Sequence, residues 1–460
     1  MKLKSLALAV VFLAFFSSPA SAKIIHVPAD SSTIQGGIHG AVNGDTVLVE
    51  RGHYYERINF NGKAILVAGN FIFDNDTNTI DSTIIDADTS VLGVSDTGSV
   101  VCFTTVEGSS SIIQGFTIRN GIGTQFAVGG RKGGGIFCNN SSPIIKNNVI
   151  LNNRANHGGG IYCSRSSPTI TANTISYNCA ESGGGGIYCY DSSLAEISYN
   201  VISHDTSHMN GAGIGCSNYS SATISNNIIS YNVHYNDGGG INLELHSAAT
   251  IVNNTIDRNG SGGTCGGEGS GIAMQNSDCV IKNNIVSNSR SGTGIDDRQD
   301  QGQESSPTIM YNNAWNNLCG NYVDLPSKVG EFTTTNFNGD PSDRFYNISL
   351  DPMFADTASY ALLCRSACID AGHPGSEVPV GGGRRIDIGV YEYAYIVGDA
   401  NQDGEIGLSD IVYLINCLFK FGPCPCPLRR ADVNCDGSSE VSDIVYLINH
   451  VFKGGPPPCE

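Results

Sequence analysis

Six residues, Gly158-Gly159-Gly160-Ile161-Tyr162-Cys163, constrain this chain most, because close copies recur on both sides of them. Gly133-Gly134-Gly135-Ile136-Phe137-Cys138 precedes. Gly184-Gly185-Gly186-Ile187-Tyr188-Cys189, Gly211-Ala212-Gly213-Ile214-Gly215-Cys216 and Gly238-Gly239-Gly240-Ile241-Asn242-Leu243 follow, with a weaker copy at Gly269-Ser270-Gly271-Ile272-Ala273-Met274. Successive copies are 25, 26, 27, 27 and 31 residues apart. A period in that range is the signature of a solenoid, in which each repeat buries its apolar face only against its neighbours.

A second pattern, Ile-x-x-Asn-x-Ile-x-x-Asn, runs in step with the first from about residue 109 to 317. Clear instances are Ile145/Asn148/Ile150/Asn153, Ile170/Asn173/Ile175/Asn178, Ile224/Asn227/Ile229/Asn232 and Ile251/Asn254/Ile256/Asn259, and Asn200, Asn284 and Asn312 continue the first Asn column. Side chains alternate along a strand, so Ile161 and Cys163 share one face and Tyr162 takes the other. The Ile and Cys columns therefore point inward. Asn and Gly corners accept left-handed backbone and let the chain return beneath itself, pairing in parallel at roughly 4.8 Å. Stacked Asn148, Asn173, Asn200 and Asn227 can then hydrogen-bond along the axis as a ladder. A mainly β parallel β-helix is the fold class that follows.

A chain of 460 residues exceeds one ordinary compact domain, but a solenoid grows along one axis and escapes the surface-to-volume limit. With 57 glycines and 15% charged residues it reads as turn-rich β structure. A net charge of −18, with only 25 Lys and Arg, would repel a phosphate backbone and excludes nucleic acid as a partner. Lys2 and Lys4, the apolar run from Leu6 to Phe16 and the small-residue exit Ala20-Ser21-Ala22 read as a secretory signal peptide over 1–22. The apolar run is too short to span a bilayer and no later segment is longer, so a secreted mature chain without a transmembrane segment is expected to start near Lys23. Sixteen cysteines suit an exported protein. Cys138, Cys163, Cys189 and Cys216 nonetheless fall at one repeat position, where Leu243 and Met274 substitute, which favours buried thiols over disulfides even though neighbouring coils have a compatible spacing.

Near the start, Ile34, Ile38 and Val42 stand at helical spacing after Thr33, and Thr46-Val47-Leu48-Val49 reads as a strand. A short amphipathic helix capping the open end of the solenoid is the simplest account. This stretch, through Gly52-x-Tyr54-x-Glu56 and Ile58-Asn59-Phe60, resembles the start of pectin-lyase-like right-handed parallel β-helix proteins. Beyond Asn317 the period fades. Asp351-Pro352-Met353-Phe354, Cys368-Ile369-Asp370-Ala371-Gly372 and Arg385-Ile386-Asp387-Ile388-Gly389-Val390-Tyr391-Glu392 resemble the closing segment of exported β-helix proteins, giving a body over 23–396.

From Gly398 the grammar changes. Asp399, Asn401, Asp403, Gly404, Glu405 and Asp410 are followed by Ile411, Leu414, Ile415 and Leu418; 33 residues on, Asp432, Asn434, Asp436, Gly437 and Asp443 are followed by Ile444, Leu447, Ile448 and Val451. Calcium takes six to eight hard oxygens, and a twelve-residue loop supplies them from alternate positions while Gly at the sixth makes the sharp turn. Asp399, Asn401, Asp403 and Asp410 would ligate one Ca²⁺ ion through side chains, and Asp432, Asn434, Asp436 and Asp443 a second. Glu405 and Ser438 would offer main-chain carbonyls. At the ninth position Gly407 leaves room for water, whereas Glu440 could reach its ion. The pair, over 397–460, resembles a dockerin type I module, whose loops end in Asp and carry one helix each. That resemblance implies two Ca²⁺ ions and, in many members, docking to a cohesin-type domain on a scaffold or cell surface. Ser439 stands where the family prefers an aliphatic residue. The connector cysteines Cys424 and Cys426, with Cys435 and Cys459, point to a local disulfide whose pairing the sequence leaves open.

Catalysis is not legible. The outward column Phe137, Tyr162, Tyr188 could hold sugar rings, and the acids Asp237, Glu244 and Glu268 stand near it as candidates for a glycosidase pair, which needs carboxyls about 5–10 Å apart. Arg154 and His157 flank the same column. A polysaccharide lyase would instead need a base with Arg or Lys, often with calcium. Asp296-Asp297 is a further acidic pair. Two functions follow from the residues: a secreted protein that binds or degrades polysaccharide and is localised by its calcium module, or a non-catalytic surface or adhesion rod whose aromatics only stabilise an exposed strand face.

Overall fold

The computed structural model describes residues 22–93, 97–126, 129–235, 238–260, 269–298, 305–380 and 382–459. The leader up to residue 21, Asp237 and Glu268 lie outside the described residues. Among the described residues the coils build three long parallel sheets of eleven, ten and ten strands, with a six-stranded side sheet along part of the body. One coil shows the pattern. Ile161–Ser164 lies in the sheet of the glycine repeat, Thr169–Thr171 and Thr174–Ser176 lie in the other two, and Cys179–Gly183 runs in the side sheet. The next coil then starts at Ile187–Tyr190, in register as Ile161↔Ile187, Tyr162↔Tyr188 and Cys163↔Cys189.

Because the period is even across coils, like residues stack. Ile145, Ile170, Ile197 and Ile224 form one core column and Ile150, Ile175, Ile202 and Ile229 another, all fully buried. Burying each such side chain contributes about 1.5–3 kcal/mol. Cys138, Cys163, Cys189 and Cys216 fill the third column as free, buried thiols, continued by Leu243 and Met274. The first Gly of each triplet turns the chain with left-handed backbone (φ +64° at Gly158), and a Cβ on Gly159 would meet the Gly185 and Cys179 carbonyl oxygens at 2.6 Å.

The Asn ladder forms. Asn148 Nδ2 donates to Asn173 Oδ1 at 3.1 Å, Asn173 to Asn200 at 3.0 Å, Asn200 to Asn227 at 3.1 Å, and the column runs on through Asn254, Asn284 and Asn312 to Asn347. Each amide also donates to an Ile carbonyl one coil back, as Asn173 does to Ile145 O at 2.9 Å. The left-handed residue at this corner is not the ladder Asn but the one before it: Asn147, Ala172, Tyr199 and Asn226 have φ of 52°, 54°, 56° and 55°. Amide hydrogen bonding, not tolerance of αL backbone, is thus what selects Asn in the column.

At the N-terminal end the helix Ile34–Gly40 caps the barrel, with the Thr33 Oγ1 accepting from Gly36 N at 3.0 Å. Ile34 and Ile38 are buried, but Val42 lies past the helix and is 58% exposed, against the helical spacing read from the sequence. At the other end the closing segment packs Ile369, Ile388 and Tyr395 on the last coils. Its acids are internal fasteners: Asp387 Oδ1 accepts from Asp370 N at 2.7 Å and Glu392 Oε2 from Asp387 N at 3.0 Å. No helix among the described residues is long and apolar enough to cross a membrane.

Candidate functional site

The two twelve-residue loops are built alike. Each begins with an Asp whose two oxygens accept backbone N–H groups from the fifth and sixth positions: Asp399 from Asp403 (3.1 Å) and Gly404 (3.2 Å), Asp432 from Asp436 (3.1 Å) and Gly437 (3.0 Å). Gly404 and Gly437 hold φ of +89° and +91°, which the sharp turn requires. The last acids, Asp410 and Asp443, are buried at the starts of the helices Leu408–Lys420 and Val441–Lys453, where Asp410 Oδ2 accepts from Gly407 N and Asp443 Oδ2 from Glu440 N, both at 2.8 Å. Asp399, Asp403 and Asp410 bring one oxygen each within 4.8 Å of one another. Hard oxygens converging around a glycine turn are the donor set calcium takes, so these residues fit the ion. Among the described residues Asp432, Asp436 and Asp443 do not come together as closely. Asn401 and Asn434 fold over their loops, donating to Asp403 and Asp436 at 2.7 and 2.8 Å.

The connector cysteines do not pair only locally. Cys417–Cys424 and Cys435–Cys459 close within the module, but Cys426 reaches Cys364 in the closing segment of the β-helix. The sequence offered no signal for this, since Cys364 stands 62 residues before Cys426 and belongs to no motif.

On the body, the outward column Phe137, Tyr162, Tyr188 differs from its expected role. The three rings stack at 5.8 and 6.0 Å, and Phe126 packs on Phe137 at 5.7 Å. Their residues are only 2%, 2% and 6% exposed, because the side sheet folds over them. Ring faces that cover one another cannot hold a sugar ring, so these aromatics are a small satellite core.

What lies above them is a cleft of about 390 Å³ lined by Phe126, Lys132, His157, Arg165, Tyr190 and Asp191, with Tyr162 and Tyr188 beneath. Lys132 Nζ sits 2.7 Å from His157 Nδ1 and 5.6 Å from the Tyr162 ring centroid. Burial lowers the Lys132 ammonium to about 8. Burial, and then the Lys132 charge, lowers His157 to about 4, so at neutral pH its Nδ1 accepts from the lysine. Beside this cleft Arg131, Arg154 and Glu181 line a second hollow of about 560 Å³, with Arg154 Nη2 at 2.8 Å from Glu181 Oε1.

Lys132 was not singled out from the sequence, yet a signal existed: it occupies the position just before a glycine triplet, as His157 does, and the two pair in register. Glu244 is half-buried near Asn210, at 3.2 Å from its Nδ2, and Asp237 and Glu268 lie outside the described residues. Asp296 and Asp297 are buried, and Ser305 Oγ donates to the Asp297 carboxylate at 2.7 Å.

Comparison with known proteins agrees with the two parts. Residues 159–328 match the right handed beta helix region family, and residues 397–452 match the dockerin type I domain. The chain thus joins a right-handed β-helix to a dockerin type I domain, a class that binds calcium. No curated protein matches the chain. Among solved structures it is similar to pectate lyase Pel9A, at 12% identity and TM-score 0.47 over 81% of this chain and 97% of that one. It is also similar to a variant of the alginate lyase AlyGC, at 13% identity and TM-score 0.33 over 74% of this chain and 55% of that one. Likeness at that level says nothing about chemistry here.

Proposed function

We propose that the protein acts outside the cell on polysaccharide, with the β-helix carrying the glycan-facing cleft and the dockerin module binding two Ca²⁺ ions and attaching the whole to a cohesin-type domain. The observation that carries the glycan reading is the Lys132–His157 pair, set 2.7 Å apart over the buried Tyr162 ring and open to a cleft. Arg165 lines the same cleft, paired with Asp191 at 2.6 Å, and Arg131 and Arg154 line the second hollow, the latter paired with Glu181; in a chain with few cations this grouping supports an anionic sugar polymer as occupant despite the overall charge of −18. A lysine near neutrality is also suited to take a proton from a bound sugar.

Asp399, Asn401, Asp403 and Asp410 would hold the first calcium, with the Glu405 carbonyl. Asp432, Asn434, Asp436 and Asp443 would hold the second, with the Ser438 carbonyl and Glu440. When bound, calcium ties each loop to its helix and orders the face presented to a partner.

The test is a screen of the full chain against acidic and neutral glycans, reading binding and release of chain fragments. Wild type should bind or cleave an acidic glycan, and Lys132→Met or Tyr190→Ala should lose this while keeping the same melting temperature. If no glycan is bound, the reading falls. The rod reading then stands, favoured by the covered faces of Phe137, Tyr162 and Tyr188.

A further inference from the structure

Each calcium loop has an arginine on its first aspartate, but the two arginines come from different places. In the first loop Arg430, from the module itself, donates to the Asp399 carbonyl at 3.1 Å and stands 3.6 Å from its Oδ2. In the second, Arg384 reaches across from the closing segment of the β-helix. Its Nη1 lies 2.6 Å from Asp432 Oδ2, and its Nη2 donates to the Asp432 carbonyl. Both side chains are almost fully buried, at 7% and 4% exposure, so water screens the pair little. The contact belongs to a wider junction. Arg429 of the module donates to Ile369 O at 2.6 Å and lies 3.3 Å from Asp370 Oδ2, and the Cys364–Cys426 disulfide fastens the same edge.

We propose that Arg384 is an interdomain counter-ion of the second calcium loop, so that calcium in that loop and the seating of the module on the β-helix oppose one another. The opposition, which rests on the calcium reading above, is electrostatic. Asp432 Oδ2 already faces a guanidinium at hydrogen-bond distance, and an ion on the same carboxylate would bring a divalent charge within a few ångströms of it. In a poorly screened site that repulsion weakens binding. In the first loop the looser Arg430 contact opposes calcium less, and there the three carboxylates converge. Linkage makes the effect reciprocal: calcium in the second loop must loosen the hold of Arg384 by the same factor. The disulfide keeps the module attached meanwhile.

Calcium titration calorimetry of the full chain tests this, in an Asp403→Ala background so that the remaining event belongs to the second loop. Arg384→Gln should tighten that event roughly tenfold, and Arg384→Lys, which keeps the charge, should move it far less. In an Asp436→Ala background, which leaves the first loop, Arg384→Gln should change nothing. Equal affinity in Arg384→Gln and its parent, or a like shift of both loops, overturns the inference. Absence of any event in Asp403→Ala, with or without the arginine, sinks the second calcium site itself. Hydrogen exchange on the unmutated chain gives a check free of folding effects: calcium should speed exchange around Ile369, Asp370 and Arg384, and slower exchange there contradicts the opposition.

Discussion

Asp205 interrupts the second Asn column, and replacing it with Asn should stabilise the protein in a way that depends on pH. In that column Asn178 Nδ2 donates to Ile150 O at 2.9 Å and to the next rung at 2.9 Å, and Asn232 Nδ2 donates to Ile202 O at 3.0 Å and to Asn259 Oδ1 at 3.1 Å. Asp205 Oδ1 accepts from Asn178 as an Asn would, but its Oδ2 has no partner and is fully buried. By register that oxygen faces the Ile175 carbonyl and Asn232, both acceptors. Burial therefore holds the carboxyl protonated, well above its ordinary range. One proton can make one of the two donations an amide makes. Near pH 4, where unfolded Asp is about half protonated, Asp205→Asn should gain about 1 kcal/mol for the missing hydrogen bond. As pH rises the unfolded chain releases its proton and the folded chain keeps it. Wild-type stability then falls, and the gap widens by at most about 1.4 kcal/mol per pH unit until the folded group titrates. Urea unfolding of both proteins from pH 4 to 8 reads this directly. A variant no more stable than wild type, or a gap independent of pH, would refute the protonated-rung argument.

Other consequences are equally open to measurement. Cys163→Ser puts a hydroxyl among buried thiols and should cost about 1–3 kcal/mol in urea unfolding, while peptide mapping of the native protein should find Cys138 and Cys163 unlinked and Cys364 joined to Cys426. Burial raises both Asp387 and Glu392, and the neighbouring carboxylates add to it. The closing segment therefore loses stability as pH rises above the unfolded carboxylate range, and Glu392→Gln should be more stable than wild type at pH 8 but not at pH 4 by thermal melting. Calcium calorimetry should show two events, and Asp403→Ala combined with Asp436→Ala should abolish them; a residual event would move the ligands elsewhere.

The repeat made the fold readable because stacking is periodic: Ile161, Cys163 and Asn173 each announce a column whose neighbours are the same residue one coil on. The geometry of the two twelve-residue loops was legible for a similar reason, since Asp399 and Asp432 each accept from backbone N–H groups of their own loop. Alternation correctly turned Tyr162 away from the barrel. It could not reveal that the strands around Lys132 and His157 cover that face, because such a layer is a tertiary contact with no period of its own. Arg384 on Asp432 and Cys364 on Cys426 escaped for the same reason, as each joins segments that no motif connects.

The central claim is that the cleft above Tyr162 holds an anionic glycan through Lys132, and the pH dependence of binding tests it most directly. With the ammonium lowered to about 8, the lysine is charged at pH 7 and largely neutral at pH 9. Calorimetric affinity for an acidic polysaccharide should therefore fall between those values in wild type and stay flat, and weak, in Lys132→Met. Affinity that is unchanged across this range in wild type, or unchanged by the substitution, would contradict the account.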